Sequence, residues 1–135
     1  MKFSHTFIVD PYDIDEQGHV NNVAYVRWIQ DVAAAHWLAA VDAGTRSGLA
    51  WILTRHEIDY LREAFEGDAV TATTWVGNAT RVTCERFTEV ARDGGAIIKA
   101  RSVWCLVDRK SKRPIRISDE LRTIFGMTSQ ERPGR

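Results

Sequence analysis

The chain has 135 residues, enough for one domain with a sizeable core. Its 18 Lys and Arg balance 18 Asp and Glu, so the formal net charge is zero and the basic excess of a general nucleic-acid binder is missing. No segment approaches a membrane span of about 18–20 apolar residues, and the N-terminus has no apolar run of signal-peptide length, so no membrane partner and a cytoplasmic location are expected.

In chain order, Phe3, His5, Phe7 and Val9 alternate at period two and predict a strand over 3–9. Asp10 and Pro11 interrupt it, and a polar stretch with Gly18 follows. From Val23 to about Ala43 there is no Gly or Pro until Gly44. Tyr25, Ile29, Val32, His36 and Ala40 fall on one helical face, widened by Val26, Ala33 and Trp37. A helix of roughly 20 residues would span about 30 Å. Asn21 or Asn22 is the candidate N-cap and Gly44 the candidate stop.

Beyond Gly48 the pattern turns to strands: residues 51–61, 69–76, 81–92 and 96–108. Turns are expected at Gly67-Asp68, Gly77-Asn78 and Asp93-Gly94-Gly95. Ser118 is placed to cap a short helix ended by Gly126. One domain is expected over residues 1–128, with a disordered tail over 129–135. The order predicts an α+β domain: an antiparallel sheet packed on one long helix. One helix covers one face of such a sheet, so a homo-oligomer, dimer or tetramer, is expected.

Cys84 and Cys105 sit in strand-like segments without metal spacing and read as buried thiols. His5, His19, His36 and His56 form no HxxxH or HExxH pair, so no metal is expected.

The densest chemistry lies between Tyr12 and Tyr25. Asp13, Asp15, Glu16, Gly18, His19, Asn21 and Asn22 lead directly into the long helix. A helix N-terminus presents unpaired N–H groups and a positive dipole end, which can hold a carbonyl oxygen and its oxyanion. A carboxylate just before it could attack the carbonyl carbon or activate a water. The same residue types also serve as plain turn and capping residues.

The stretch D-I-D-E-Q-G-H-V-N-N-V-A-Y-V-R-W resembles the signature of the 4-hydroxybenzoyl-CoA thioesterase family of hotdog proteins. It is also similar to the D-x-D-x-N-x-H-V-N-N-x-x-Y stretch of plant acyl-ACP thioesterases. Asp13, Asp15, His19, Val20, Asn21, Asn22 and Tyr25 carry the likeness, and the element order extends it over roughly residues 3–125. The resemblance implies a hotdog fold, a five-stranded antiparallel sheet wrapped around one long central helix. It also implies edge-to-edge pairing of subunits, an active site at their interface, and neither cofactor nor metal. Its implied substrate is an acyl-CoA, or an acyl-ACP, hydrolysed to free acid and thiol; a non-catalytic acyl-thioester binding module is the alternative.

By the same resemblance Asp15 is the catalytic carboxylate, as nucleophile or general base. The N–H near Asn22 would polarise the carbonyl, while His19 and Asn21 shape the loop and are candidates to touch the carbonyl or the water. Tyr25 is a candidate substrate contact, although its helical position equally suits the core. Gln17 and Gln30 depart from the relatives, which carry Asn and Glu there, so a second carboxylate would have to come from Glu57 or Asp59, or be absent. The run Arg109–Arg116 holds five cations. Lys110, Lys112 and Arg113 there, with Arg81 at a hairpin where relatives often carry a basic residue, are candidates for coenzyme A phosphates. A plain solvated basic loop is the other reading of the run.

Overall fold

Period-two patterning in the second half of the chain becomes four long strands. The computed structural model describes residues 1–129. Strand β1 (Phe3–Ile8) leads through a 3-10 turn (Pro11–Asp13) and a loop to helix α1 (Asn22–Ala40) and a one-turn helix α2 (Ala43–Arg46). Strands β2 (Leu49–Tyr60), β3 (Ala69–Ala79), β4 (Thr83–Arg92) and β5 (Gly95–Asp108) follow, then helix α3 (Asp119–Ile124) and a short strand β6 (Thr128–Ser129).

The five main strands run antiparallel in the order β1-β3-β4-β5-β2. This is the expected α+β arrangement of a five-stranded sheet around one long helix. β6 adds a parallel pair at Asn78 and Ala79, beyond the end of β1's pairing with β3. Ser129, the first residue of the tail expected to be disordered, therefore lies in a strand; residues 130–135 lie outside those described.

Of three turn and cap expectations, one is met and two change. Asn21 is the N-cap, its side chain accepting from the N–H of Val23 at 3.0 Å. α1 ends at Ala40 rather than near Gly44, because Asp42 caps a new helix by accepting from Thr45 N–H at 2.8 Å. Gly77 and Asn78 lie inside β3 at an irregularity, and the chain turns instead at Thr80–Val82. A Cβ on Gly77 would lie 2.7 Å from the Phe87 ring, so glycine serves close packing there, not a turn. Asp93 and Gly94 do form a hairpin turn, with φ of 51° and 76°.

α1 buries Ala24, Tyr25, Trp28, Ile29, Val32, Ala33 and His36 against the inner face of the sheet. The core divides into two apolar clusters. One gathers Trp28, Ile29, Val70, Val90 and Ile98. The other gathers Val41, Val76, Leu106, Ile117, Leu121 and Phe125 under α3. Burying each of the large aliphatic side chains stabilises the fold by roughly 1.5–3 kcal/mol. Between the clusters four elements contribute buried polar residues: His36 from α1, Thr74 from β3, Arg86 and Thr88 from β4, Ser102 from β5. Arg86, Ser102 and His56 are register partners, so this seam crosses the sheet. Cys84 is buried as expected, and burial pushes its thiol pKa up to about 11. Cys105 is only half-buried.

Candidate active site

The loop between the 3-10 turn and α1 is short, and its own hydrogen bonds close it. Ile14 and Val20 form an isolated antiparallel bridge. Inside it, Asp15 N–H donates to His19 carbonyl at 2.8 Å, and Gly18 N–H donates to Asp15 carbonyl at 3.1 Å. Gly18 makes the turn at φ 81°, a region most side chains avoid. The Asp15 carboxylate is oriented by the same turn. Its Oδ1 accepts from Gln17 N–H at 2.9 Å and His19 N–H at 3.2 Å. Its second oxygen has no partner among the described residues, and the side chain is exposed.

Asp13, read as a supporting residue, is the best anchored of the loop. It is buried, and its carboxylate accepts from Arg27 Nη2 at 2.5 Å. Its carbonyl accepts from Asn21 N–H at 2.7 Å. Asp13 thereby ties the loop to the first turns of α1.

Asn21 spends its side-chain oxygen on the cap. Asn22 N–H, the first of the helix, has no acceptor among the described residues and points out of the N-terminus, where the dipole favours negative charge. His19 Nε2 lies 3.3 Å from Glu63, and its ring meets Phe65 edge-on. The 61–66 segment is fastened to the loop because Val20 N–H donates to Ala64 carbonyl. Glu63 is a carboxylate that sequence reasoning missed; its segment carries no periodic signal. Glu57, offered as a second carboxylate, is paired with Arg55 and Arg101.

Tyr25 faces inward. It is 3% exposed, its hydroxyl accepts from Ala64 N–H at 3.0 Å, and burial raises its pKa. Within the single chain it is a core residue.

The basic residues collect at the other end of the molecule. Arg109 donates to Leu49 carbonyl and Arg116 pairs with Asp119. Lys110, Lys112 and Arg113 have exposed side chains without ion-pair partners among the described residues. Arg81 lies in the β3–β4 turn beside them, its carbonyl accepting from Ile117 N–H. Arg62, in the segment packed on the Asp15 loop, bonds Ile97 near the start of β5, whereas the basic run follows the end of β5 at Asp108. Eleven strand residues separate the two ends by about 35 Å. The structure therefore does not bring Lys110, Lys112, Arg113 and Arg81 to Asp15 of the same chain.

Among the described residues no three His, Cys, Asp or Glu side chains converge as metal ligands. A cavity of about 310 Å³ opens between the C-terminal half of α1 and the sheet, with Arg86 on its wall. The strand pattern around Arg86 gave no sign of it, because the residue lies mid-strand in phase with Cys84 and Val90, and alternation carries no mark of a cavity.

The arrangement at Asp15 provides an oriented carboxylate with one open oxygen in the loop that leads to an unpaired helix N–H, a layout suited to acyl transfer to water. Comparison with known proteins agrees in family. Residues 1–125 match the acyl-ACP thioesterase N-terminal domain. A chloroplastic acyl-acyl-carrier-protein hydrolase of Cuphea viscosissima is 32% identical over 76 residues, covering 55% of this chain and 18% of that protein. A chloroplastic palmitoyl-acyl carrier protein thioesterase of Gossypium hirsutum is 25% identical over 131 residues, covering 89% of this chain and 32% of that protein. The chain spans less than half the length of the curated relatives it matches. Among solved structures, a 1,4-dihydroxy-2-naphthoyl-CoA thioesterase of Synechocystis superposes with a TM-score of 0.81 at 13% identity, covering 93% of this chain and 96% of that one. A Staphylococcus aureus protein solved in complex with CoA gives 0.83 at 16% identity, covering 99% and 90%. At these identities the likeness is one of fold. With the family's pattern running through nearly all of its length, the chain belongs to the acyl-ACP thioesterase N-terminal domain family.

Proposed function

We propose that this protein hydrolyses the thioester bond of an acyl-CoA, with Asp15 as its catalytic carboxylate. The observation that carries the reading is Asp15 itself: one oxygen is fixed by two backbone N–H groups and the other is open, in the loop that runs into the N-terminus of α1. In the general-base course, Asp15 takes a proton from water as the water oxygen bonds to the carbonyl carbon. The oxyanion forms against Asn22 N–H. Its collapse breaks the C–S bond, and the thiolate leaves and is protonated. In the nucleophilic course, Asp15 bonds to the carbonyl carbon first, expels the thiolate, and water cleaves the resulting anhydride. Both need Asp15 ionised. His19, in the same loop and 3.3 Å from Glu63, would orient the water.

The thiol carrier has two candidates. The isolated basic patch and the 4-hydroxybenzoyl-CoA thioesterase likeness of the loop favour CoA; the family match favours an acyl carrier protein, whose acidic surface would suit the same patch. Because the patch lies far from Asp15 within one chain, it would serve the site of a second subunit, in a homo-oligomer with an interfacial site. The proposed setting is cytoplasmic.

The experiment is a thiol-release assay over short, medium, long and aryl acyl-CoAs and their acyl-ACP counterparts. Turnover is expected on at least one. Asp15→Asn should lower kcat by about 10²–10⁴ with far less change in KM. Asp13→Asn should lower the melting temperature while the folded enzyme keeps most of its kcat. No turnover on any thioester would leave a binding module; full turnover by Asp15→Asn would move the chemistry out of this loop.

A further inference from the structure

Over its C-terminal half, α1 stands away from the sheet and leaves the cavity of about 310 Å³. Trp37, Trp51 and Trp104 are among its lining residues, as is Gln30, which is exposed. No residue of the Asp15 loop lines it. Gln30 lies eight residues into the helix, about 12 Å along the axis from Asn22.

Arg86 is the anomaly of this wall. It is 7% exposed, and a buried guanidinium ordinarily sits against a carboxylate, because stripping its charge of water is costly. None of the ion pairs among the described residues includes it. Its Nη1 donates to His36 Nδ1 at 2.9 Å and to Thr74 Oγ1 at 3.1 Å. His36 supplies no counter-charge: burial and the Arg86 charge hold its pKa down at about 4. A guanidinium carries five N–H donors, and Nη1 accounts for two. The other three, on Nε and Nη2, find no acceptor among the described residues. Arg86 lines the cavity, its guanidinium carbon 5.9 Å from the centre of the Phe125 ring, and neither nitrogen is among the sealed, unpartnered atoms of the described residues. Nε and Nη2 present their hydrogens along one edge, the fork that receives a carboxylate side-on. Folded proteins seldom leave buried donors unmatched.

We propose that this cavity binds an apolar chain ending in a carboxylate, with the carboxylate on the Nε–Nη2 edge of Arg86 and the chain among the three tryptophans. At about 30 Å³ per atom of liquid-like packing, the volume suits about ten non-hydrogen atoms, the size of octanoate. The carboxylate has two possible sources. It is either a free acid or the far end of an ω-carboxyacyl substrate, and the second source rests on the thioesterase reading.

The test is titration of wild-type protein with octanoate, methyl octanoate and 1-octanol, read by tryptophan fluorescence and calorimetry. Octanoate should bind one to one and at least about tenfold more tightly than either neutral analogue, as charge-assisted hydrogen bonds require. Arg86→Gln, checked for an unchanged circular dichroism spectrum, should erase that preference while methyl octanoate binding shifts less than about twofold. A second arm compares kcat/KM for dodecanoyl-CoA and its ω-carboxy counterpart. A wild-type preference for the ω-carboxy substrate that Arg86→Gln abolishes identifies the substrate's far end. A ratio equal in both proteins, with octanoate binding still dependent on Arg86, identifies a free acid. Absence of turnover in this arm counts against the hydrolase reading alone, since the binding arm needs no catalysis. Equal affinity for the three octyl compounds, no binding of any, or a carboxylate preference retained by Arg86→Gln overturns the proposal.

Discussion

His36 holds an unfavourable position for a titrating group. It is buried on α1 between stacked Phe3 and edge-on Phe125, and its Nδ1 must stay unprotonated to accept from Arg86. Burial first, then the Arg86 charge, lowers its pKa from 6.5 to about 4; burial lowers that of His56 as well. In the unfolded chain His36 takes up a proton below about pH 6.5, while the folded chain resists until about pH 4. Stability should therefore be level above pH 6.5 and fall as the pH drops from 6.5 toward 4. The loss from His36 should be about 2 kcal/mol by pH 5, which for a chain of this size is a drop of several degrees in Tm. Melts at pH 7.5, 6, 5 and 4.5 check this, and His36→Gln, whose amide oxygen can still accept from Arg86, should flatten the profile. A slope unchanged by His36→Gln would place the titration elsewhere. Such residue-level facts are only partly legible in a sequence. Asp15 was legible because a short local pattern surrounds it. The burial of Asp13 was not, because it depends on Arg27, 14 residues away, folding back over it.

Among the elements, β3 and the β5–α3 loop carry the clearest tests. β3 continues through Gly77-Asn78, a pair that reads as a turn, with an irregularity of register there, and Gly77 lets Phe87 lie against the backbone. Phe87 is held in place by stacking on Trp75 at 5.8 Å. Gly77→Ala should cost about 1–3 kcal/mol, as overpacking does, measured as a lower urea midpoint with unchanged m-value. An unshifted midpoint would mean that the ring moves aside freely. In the β5–α3 loop, Asp108 accepts from the N–H groups of Lys110 and Ser111, which holds the turn and leaves the Lys110, Lys112 and Arg113 side chains exposed. If they hold substrate phosphates, replacing all three with Gln should raise KM several-fold with little change in kcat, at matched ionic strength. An unchanged KM would leave the loop as solvated surface. Element type and order followed from periodicity, which is a local property. The ends of α1 and the β3–β4 turn shifted because Asp42 capping and the Phe87 contact compete with the nearest Gly.

At the scale of the molecule, the sheet ends on one side at β2, a strand of 12 residues whose outer N–H and C=O groups have no strand partner among the described residues. Ile52 and Tyr60 on it are 42% and 49% exposed. A long, partly apolar edge favours pairing with another copy. Light scattering at micromolar concentration should give two or four times 15.3 kDa. Such an assembly would also bring a second subunit's basic loop into play at each Asp15. A stable monomer would remove the interfacial site and with it any phosphate role for Lys110, Lys112, Arg113 and Arg81.

By itself the sequence determined the α+β class, the long capped helix, the four C-terminal strands and the loop at Asp15. Each of these depends on residues close together in the chain: period two, helical spacing, an Asn cap, a run of Asp, Gly, His and Asn. Tertiary structure alone decided which distant residues meet. It set Glu63 beside His19, buried Asp13 under Arg27, and separated the basic loop from Asp15 by the length of β5. It also aligned His36, Thr74, Arg86 and Ser102 into one polar seam between two apolar clusters. Strand register and helix placement set those meetings, and alternation along a single strand carries no record of its partner's register.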